Sequence, residues 1–210
     1  MDPRLFEAAC TGDIAAFHSL LSDDPLILDR VSLNSVENPL HISSLAGHAD
    51  FAKEIAGRKP AFARELNEDG FSPMHIASAN GHIEIVRELL RFGNDICLVK
   101  GKDGKTPLHC AAMKGRVDIV KELVSACPES VKEVTIRGET ALHLSVKNNQ
   151  FEVFRVLMEE LKKLDMMELV NWKDKEGNTI LHLATLRKQN EASAAILTFL
   201  FCIVICLFTQ

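Results

Sequence analysis

The stretches SPMHIASANGH (72–82) and TPLHCAAMKGR (106–116) decide the reading of this chain. They align residue for residue, and three more stretches align with them: NPLHISSLAGH (38–48), TALHLSVKNNQ (140–150) and TILHLATLRKQ (179–189). Their histidines are His41, His75, His109, His143 and His182, with gaps of 34, 34, 34 and 39 residues. Five residues before the last four stand Gly70, Gly104, Gly138 and Gly177. Six residues after the first three stand Gly47, Gly81 and Gly115. Downstream come IEIVRELL (83–90), VDIVKELV (117–124) and FEVFRVLM (151–158). A fixed period over most of the chain marks a stacked repeat, because one small unit cannot bury its own apolar face and a row of them can.

The local chemistry of one unit follows from its residues. Thr106 is a good helix N-cap, and Pro107 suits the first turn, where its missing N–H costs nothing. Leu108, Ala111 and Ala112 form one apolar face, with alanines small enough for close helix approach. Gly115 ends that helix by tolerating positive φ. Ile119, Val120, Leu123 and Val124 have the spacing of a second helix. Asp103-Gly104 is a hairpin turn signal. The expected fold is all-α: a curved solenoid of helix-turn-helix units with short hairpin fingers. Its units lie near 2–33, 34–67, 68–101, 102–135 and 136–174, with a partial sixth at 175–190. LFEAACTGDIAAFHSLL (5–21) reads as a degenerate first copy, two short helices around Gly12, suited to an N-terminal cap. Val36 fills the Gly slot of the second unit, which predicts a different turn there. Asn149 replaces the helix-ending Gly of unit five, and Ala141 replaces its Pro. The longer gap places five extra residues within 159–177, in the second helix or the loop after it.

These motifs resemble the ankyrin repeat, G-x-TPLH-x-AA-xx-GH-x-xIV-xx-LL, over roughly residues 1–189. LFEAACTGD, DGFSPMHIASANGH, KGKDGKTPLHCAAMKGR, GETALHLSVKNNQFE and DKEGNTILHLATLRKQ further resemble plant ankyrin-repeat membrane proteins of the PGG-domain family. That resemblance implies a cytosolic ankyrin array followed by transmembrane helices, and a role in immune or stress signalling. No PGG motif is present here, so the family's multi-span domain is not carried over.

Length and composition agree with a folded chain. The 210 residues are 47% hydrophobic and 25% charged, with a net charge of −5. That balance is too apolar for disorder. Without a Lys/Arg block, it also argues against nucleic-acid binding. The start, MDPRLFEAACTGD, has acids and no apolar run, so it does not read as a secretory signal. Cysteines 10, 97, 110, 127, 202 and 206 include no CxxC, and reduced thiols are expected.

Residues 192–210, ASAAILTFLFCIVICLFTQ, carry no charge. As a helix they would reach about 28 Å against a bilayer core of about 30 Å. A helix apolar all round wants full burial or lipid. A transmembrane span is the preferred reading. A capping helix packed on the stack, or a truncated end, stays open. Arg187 and Lys188 on the repeat side would keep the repeats cytosolic. Cys202 and Cys206 would share one helix face.

No residue set stands out for catalysis, metal or cofactor binding. Successive repeat histidines should sit roughly 8–10 Å apart, too far to share an ion held at about 2.1 Å. They are expected to tie repeats together by hydrogen bonds. His48 and His82 should meet helix C-terminal carbonyls, whereas His18 stands alone. Cys110 reads as a small core residue. VKGKDGKTP supplies GKT, but Val99 stands where a phosphate loop needs Gly.

What remains is recognition by positions that do not repeat. In unit three these are Glu68, Asp69, Phe71, Ala79 and Asn80. In unit four they are Lys102, Asp103, Lys105, Met113 and Lys114. In unit five they are Ile136, Arg137, Glu139, Lys147 and Asn148. In unit six they are Lys175, Glu176, Asn178, Leu186 and Arg187. Phe71, Met113 and Trp172 are candidate apolar anchors. The expected partner is a cytosolic protein or a receptor's cytoplasmic region, with residues 192–210 in a membrane, and with no nucleic acid and no small-molecule substrate. The expected function is a non-catalytic, membrane-tethered adaptor. The alternative is a soluble scaffold or inhibitor.

Overall fold

A computed structural model describes residues 1–34 and 37–186. Val36, Arg187, Cys202, Cys206 and the apolar segment 192–210 lie outside the described residues. Among the described residues there are twelve α-helices and no strand. They run α1 Pro3–Thr11, α2 Ile14–Asp23, α3 Ile27–Asn34, α4 Pro39–Ala46, α5 Ala49–Arg58 and α6 Pro73–Asn80. Then follow α7 Ile83–Leu90, α8 Pro107–Met113, α9 Val117–Ala126, α10 Ala141–Lys147, α11 Phe151–Lys163 and α12 Ile180–Leu186. No helix of the described residues is long and apolar enough to cross a membrane.

The helices form two rows. The first helices pack in series, α1 on α4, then α6, α8, α10 and α12. The second helices do the same from α2 through α5, α7 and α9 to α11. The core lies between the rows, where Leu5, Phe17, Leu40, Phe51, Met74, Ile85, Leu108 and Phe154 are buried. The all-α solenoid read from the repeat is the fold observed.

Each inner first helix begins with the same device. Asn38, Ser72, Thr106 and Thr140 are the N-caps of α4, α6, α8 and α10, and each forms a reciprocal box with the histidine three residues on. The cap side chain meets the histidine backbone, and the imidazole Nδ1 accepts the cap backbone N–H at 3.0–3.3 Å. Histidine thus takes the part that Glu or Gln plays in a common capping box. Asn149 adopts φ 57°, close to the 73° of its counterpart Gly115, so the Asn substitution preserves the left-handed turn.

Two features differ from the bare repeat. The first unit holds a third helix, α3, beyond the two short helices expected. Ile27, Leu28 and Val31 bury one face of it, and their i, i+1, i+4 spacing is the signal that could have announced it. The longer fifth unit takes its surplus in α11, which has 13 residues where α7 has 8. A turn through Asp165 at φ 55° follows it.

Ser44 and Ser78 occupy equivalent places on α4 and α6, and their buried hydroxyls make no hydrogen bond among the described residues. Later repeats hold Ala112 and Val146 there. A buried polar group without a partner is destabilising. Ser44→Ala and Ser78→Ala should therefore each raise stability by about 1 kcal/mol, read as a higher urea midpoint. A lowered midpoint would show that the hydroxyls are bonded in solution.

Candidate protein-binding surface

The surface is held by three kinds of inter-repeat tie. The fingers join edge to edge: Lys102 N–H donates to Gly70 O at 2.7 Å, Ile136 to Asp103 at 2.8 Å, and Lys175 to Arg137 at 2.8 Å. Within each finger the ends close on themselves, as with Asn67 N–H to Phe71 O at 2.9 Å and Gly101 N–H to Lys105 O at 2.8 Å. Each finger starts one residue before the unit it opens, and for units three, five and six that first turn residue is Asn67, Thr135 or Asp174, whose side chain accepts backbone N–H groups of its own turn. Unit four has Gly101 there, and a Cβ would stand 2.5 Å from Gly70 O. Glycine is needed for that close approach.

The histidines supply the second tie, pointing forward. With Nδ1 accepting a backbone N–H, the proton sits on Nε2, which donates onward. His41 Nε2 reaches Glu65 O and Phe71 O, both at 3.1 Å. His75 reaches Lys105 O at 2.9 Å, and His143 reaches Asn178 O at 3.3 Å. His109 Nε2 faces the same kind of backbone at Glu133 and Glu139 without reaching hydrogen-bond geometry. His182 keeps the local bond, from Thr179 N–H at 3.2 Å. Burial pushes the pKa of His41, His75 and His109 down to about 4, so these rings are neutral at neutral pH.

The third tie points backward, from the residue after each helix-ending turn. His48 Nε2 meets Cys10 O at 2.8 Å and His82 Nε2 meets Leu45 O at 3.2 Å. Arg116 Nε donates to Ala79 O at 3.0 Å in the same manner. These carbonyls lie in the last turn of the preceding first helix, where a donor is favoured.

On this frame sits a hollow of about 330 Å3 across units two to four. Its lining includes Leu45, Phe71, Ile76, Ala79, Cys110 and Met113 as apolar surface. Asp69, Asn80, Lys105 and Lys114 also line it. Seven recognition positions singled out from the sequence therefore meet in one place: Asp69, Phe71, Ala79, Asn80, Lys105, Met113 and Lys114. Phe71 and Met113 are half-buried, as anchor positions should be. Leu45 is 59% exposed and Ile76 half-buried. Neither was singled out, because both sit at helical positions whose facing direction becomes plain only once the finger is built. Burial raises the Cys110 thiol to about 11, so it is a packing group and an unreactive one.

The remaining positions divide. Glu68, Lys102, Arg137, Trp172 and Lys175 are exposed, outside this hollow. Glu139 and Lys147 need correction. Glu139 is only 6% exposed, and Lys147 Nζ lies 2.7 Å from its carboxylate and 3.4 Å from that of buried Asp174. Thr135 adds a hydroxyl donor to Glu139 at 3.2 Å. Burial works to raise the Asp174 carboxyl, but bonds from Asn178 and Lys147 outweigh it and hold it below the ordinary value. Glu139 and Lys147 thus join fingers five and six internally instead of facing a partner. Lys147→Met, which leaves two buried carboxylates without their cation, should cost about 2 kcal/mol in chemical denaturation. An unchanged midpoint would contradict that pairing.

Sequence comparison matches this architecture. The family model of ankyrin repeats, in three copies, matches residues 5–100, 40–135, 92–168 and 128–202. Ankyrin repeat-containing protein BDA1 of Arabidopsis thaliana is 40% identical over 73 residues. The match covers 34% of this chain and 17% of that relative. Stacked helix pairs, finger ladder, capping histidines and family match agree, and the chain belongs to the ankyrin-repeat family.

Proposed function

We propose that this protein is a non-catalytic adaptor whose concave hollow takes a segment of a cytosolic protein or of a receptor's cytoplasmic region. The observation that carries this reading is the hollow itself: an apolar floor with a charged rim on a frame braced in three ways. Such a pre-ordered surface loses little freedom on binding. Residues 192–210 would hold the adaptor at a membrane with its repeats in the cytosol, raising its concentration near its partner. Plant immune or stress signalling is the proposed setting, supported by likeness to a plant ankyrin protein.

A second reading is favoured by one observation. The family model runs through residue 202, which suits a soluble scaffold or inhibitor whose segment after α12 completes the last repeat. Carbonate extraction of the tagged full chain separates the two. Retention in the membrane pellet is expected, and recovery in the soluble fraction would replace the tether with the capping helix. For the adaptor itself, proximity labelling from the full chain should mark proteins that a Met113→Lys variant of equal stability fails to mark. Identical labelling by both would remove the hollow from the function.

A further inference from the structure

The hollow is one half of a longer track. A second hollow of about 500 Å3 lies toward the N-terminus, lined by Met1, Pro3, Phe6, Glu37, Asn67, Glu68 and Asp69. Glu37, Asn67 and Asp69 border both hollows, so the two are contiguous. Phe6 is 47% exposed and offers the apolar wall of the N-terminal one. Between the hollows stands a carboxylate ridge of Glu37, Glu68 and Asp69. Glu68 and Asp69 have no ion-pair partner among the described residues. At the far end of the Phe71–Met113 hollow the sign reverses, with Lys105 and Lys114 on the rim. Lys105 is paired with Asp103 at 2.7 Å, whereas Lys114 has no ion pair among the described residues and is exposed. Passing from unit one to unit four, the surface therefore presents apolar, acidic, apolar and basic character in turn.

We propose that this track binds an extended protein segment of complementary order: an apolar side chain, then Lys or Arg, then a second bulky apolar side chain, then Asp or Glu. The inference rests on the adaptor reading and specifies what that adaptor reads. Apolar burial supplies affinity in the two hollows, while opposite charges fix the segment's register and reject segments of a single sign. The base belongs over the carboxylate ridge, and the acid beside Lys114. A uniformly acidic segment would meet Glu68 and Asp69, and a uniformly basic one would meet Lys114.

The test is selection of random displayed peptides on the immobilised full chain, with winners synthesised and titrated by fluorescence anisotropy. The selected peptides should carry a base between two apolar residues and an acid beyond the second. Asp69→Lys and Lys114→Glu should each weaken them by about ten-fold. Both positions are exposed, so an unchanged melting curve shows the variants folded. Reselection on the double variant should exchange the base and the acid. Selected peptides without this order, titrations indifferent to both charge reversals, or a selection with no binders would each overturn the inference. The Met113→Lys variant tells which level has failed. If it abolishes binding while the charge reversals do nothing, the hollow stands as a docking site and only the charge order falls. If binding survives it as well, the hollow is not the docking site.

Discussion

Shortening Phe51 to alanine is expected to lower stability by about 4 kcal/mol, the usual cost of a large buried cavity. Phe51 on α5 meets Phe17 on α2, with ring centroids 5.3 Å apart and planes tilted by 51°. Both rings are buried. The Arg58 guanidinium lies 5.5 Å from the Phe17 centroid and closes the outer side. This pair locks the degenerate first unit to the second. A chain of this size should lose about 10 °C in Tm. Because each repeat touches only its neighbours, the damage should be local. Amide exchange in α1, α2 and α3 should accelerate while α8 to α11 keep their protection. Uniform acceleration along the chain would show that the stack melts as a single body.

Acidification is the second large effect. His41, His75 and His109 take up a proton only near pH 4 in the folded chain, against 6.5 for an ordinary imidazole. Between those values the unfolded chain binds protons that the folded chain refuses. Stability contributed by these neutral rings is therefore complete above pH 6.5 and falls as pH drops toward 4. Each ring accounts for about 3 kcal/mol of that fall. His143 is displaced downward by burial too and adds in the same direction. Asp174, held low by its partners, keeps its contribution across this range and loses it only below the ordinary carboxylate value of 3.8. Urea midpoints measured across this range should drop steeply. A His75→Gln chain, weaker at neutral pH, should drop less, by the share of one ring. A flat profile in the parent chain would show that the rings are charged or hydrated in the folded state.

The fold was legible because the repeat writes the same physics five times. Thr106, Pro107, His109 and Gly115 each have a local job, and local jobs can be read from neighbours in sequence. The expectation that histidines bridge repeats follows from the same spacing. Glu139 and Lys147 were misplaced because their burial depends on Asp174, a residue of the next finger. Gly101 looked like part of a phosphate-loop imitation, and its real constraint is a carbonyl at Gly70 in the preceding finger. The candidate hollow was half legible. Phe71, Met113 and Lys114 stand out as positions that vary, whereas Leu45 and Ile76 enter only through the stacking that brings three units together.

The ties between repeats run along the stack and do not cross it. Under tension applied at the two ends, the imidazole and finger bonds would be loaded one junction after another. The protein should then yield in discrete steps, one hairpin at a time, with the links still intact able to draw the released helices back. Held at its two ends, such a chain would act as a compliant spring whose extension reports the pull upon it.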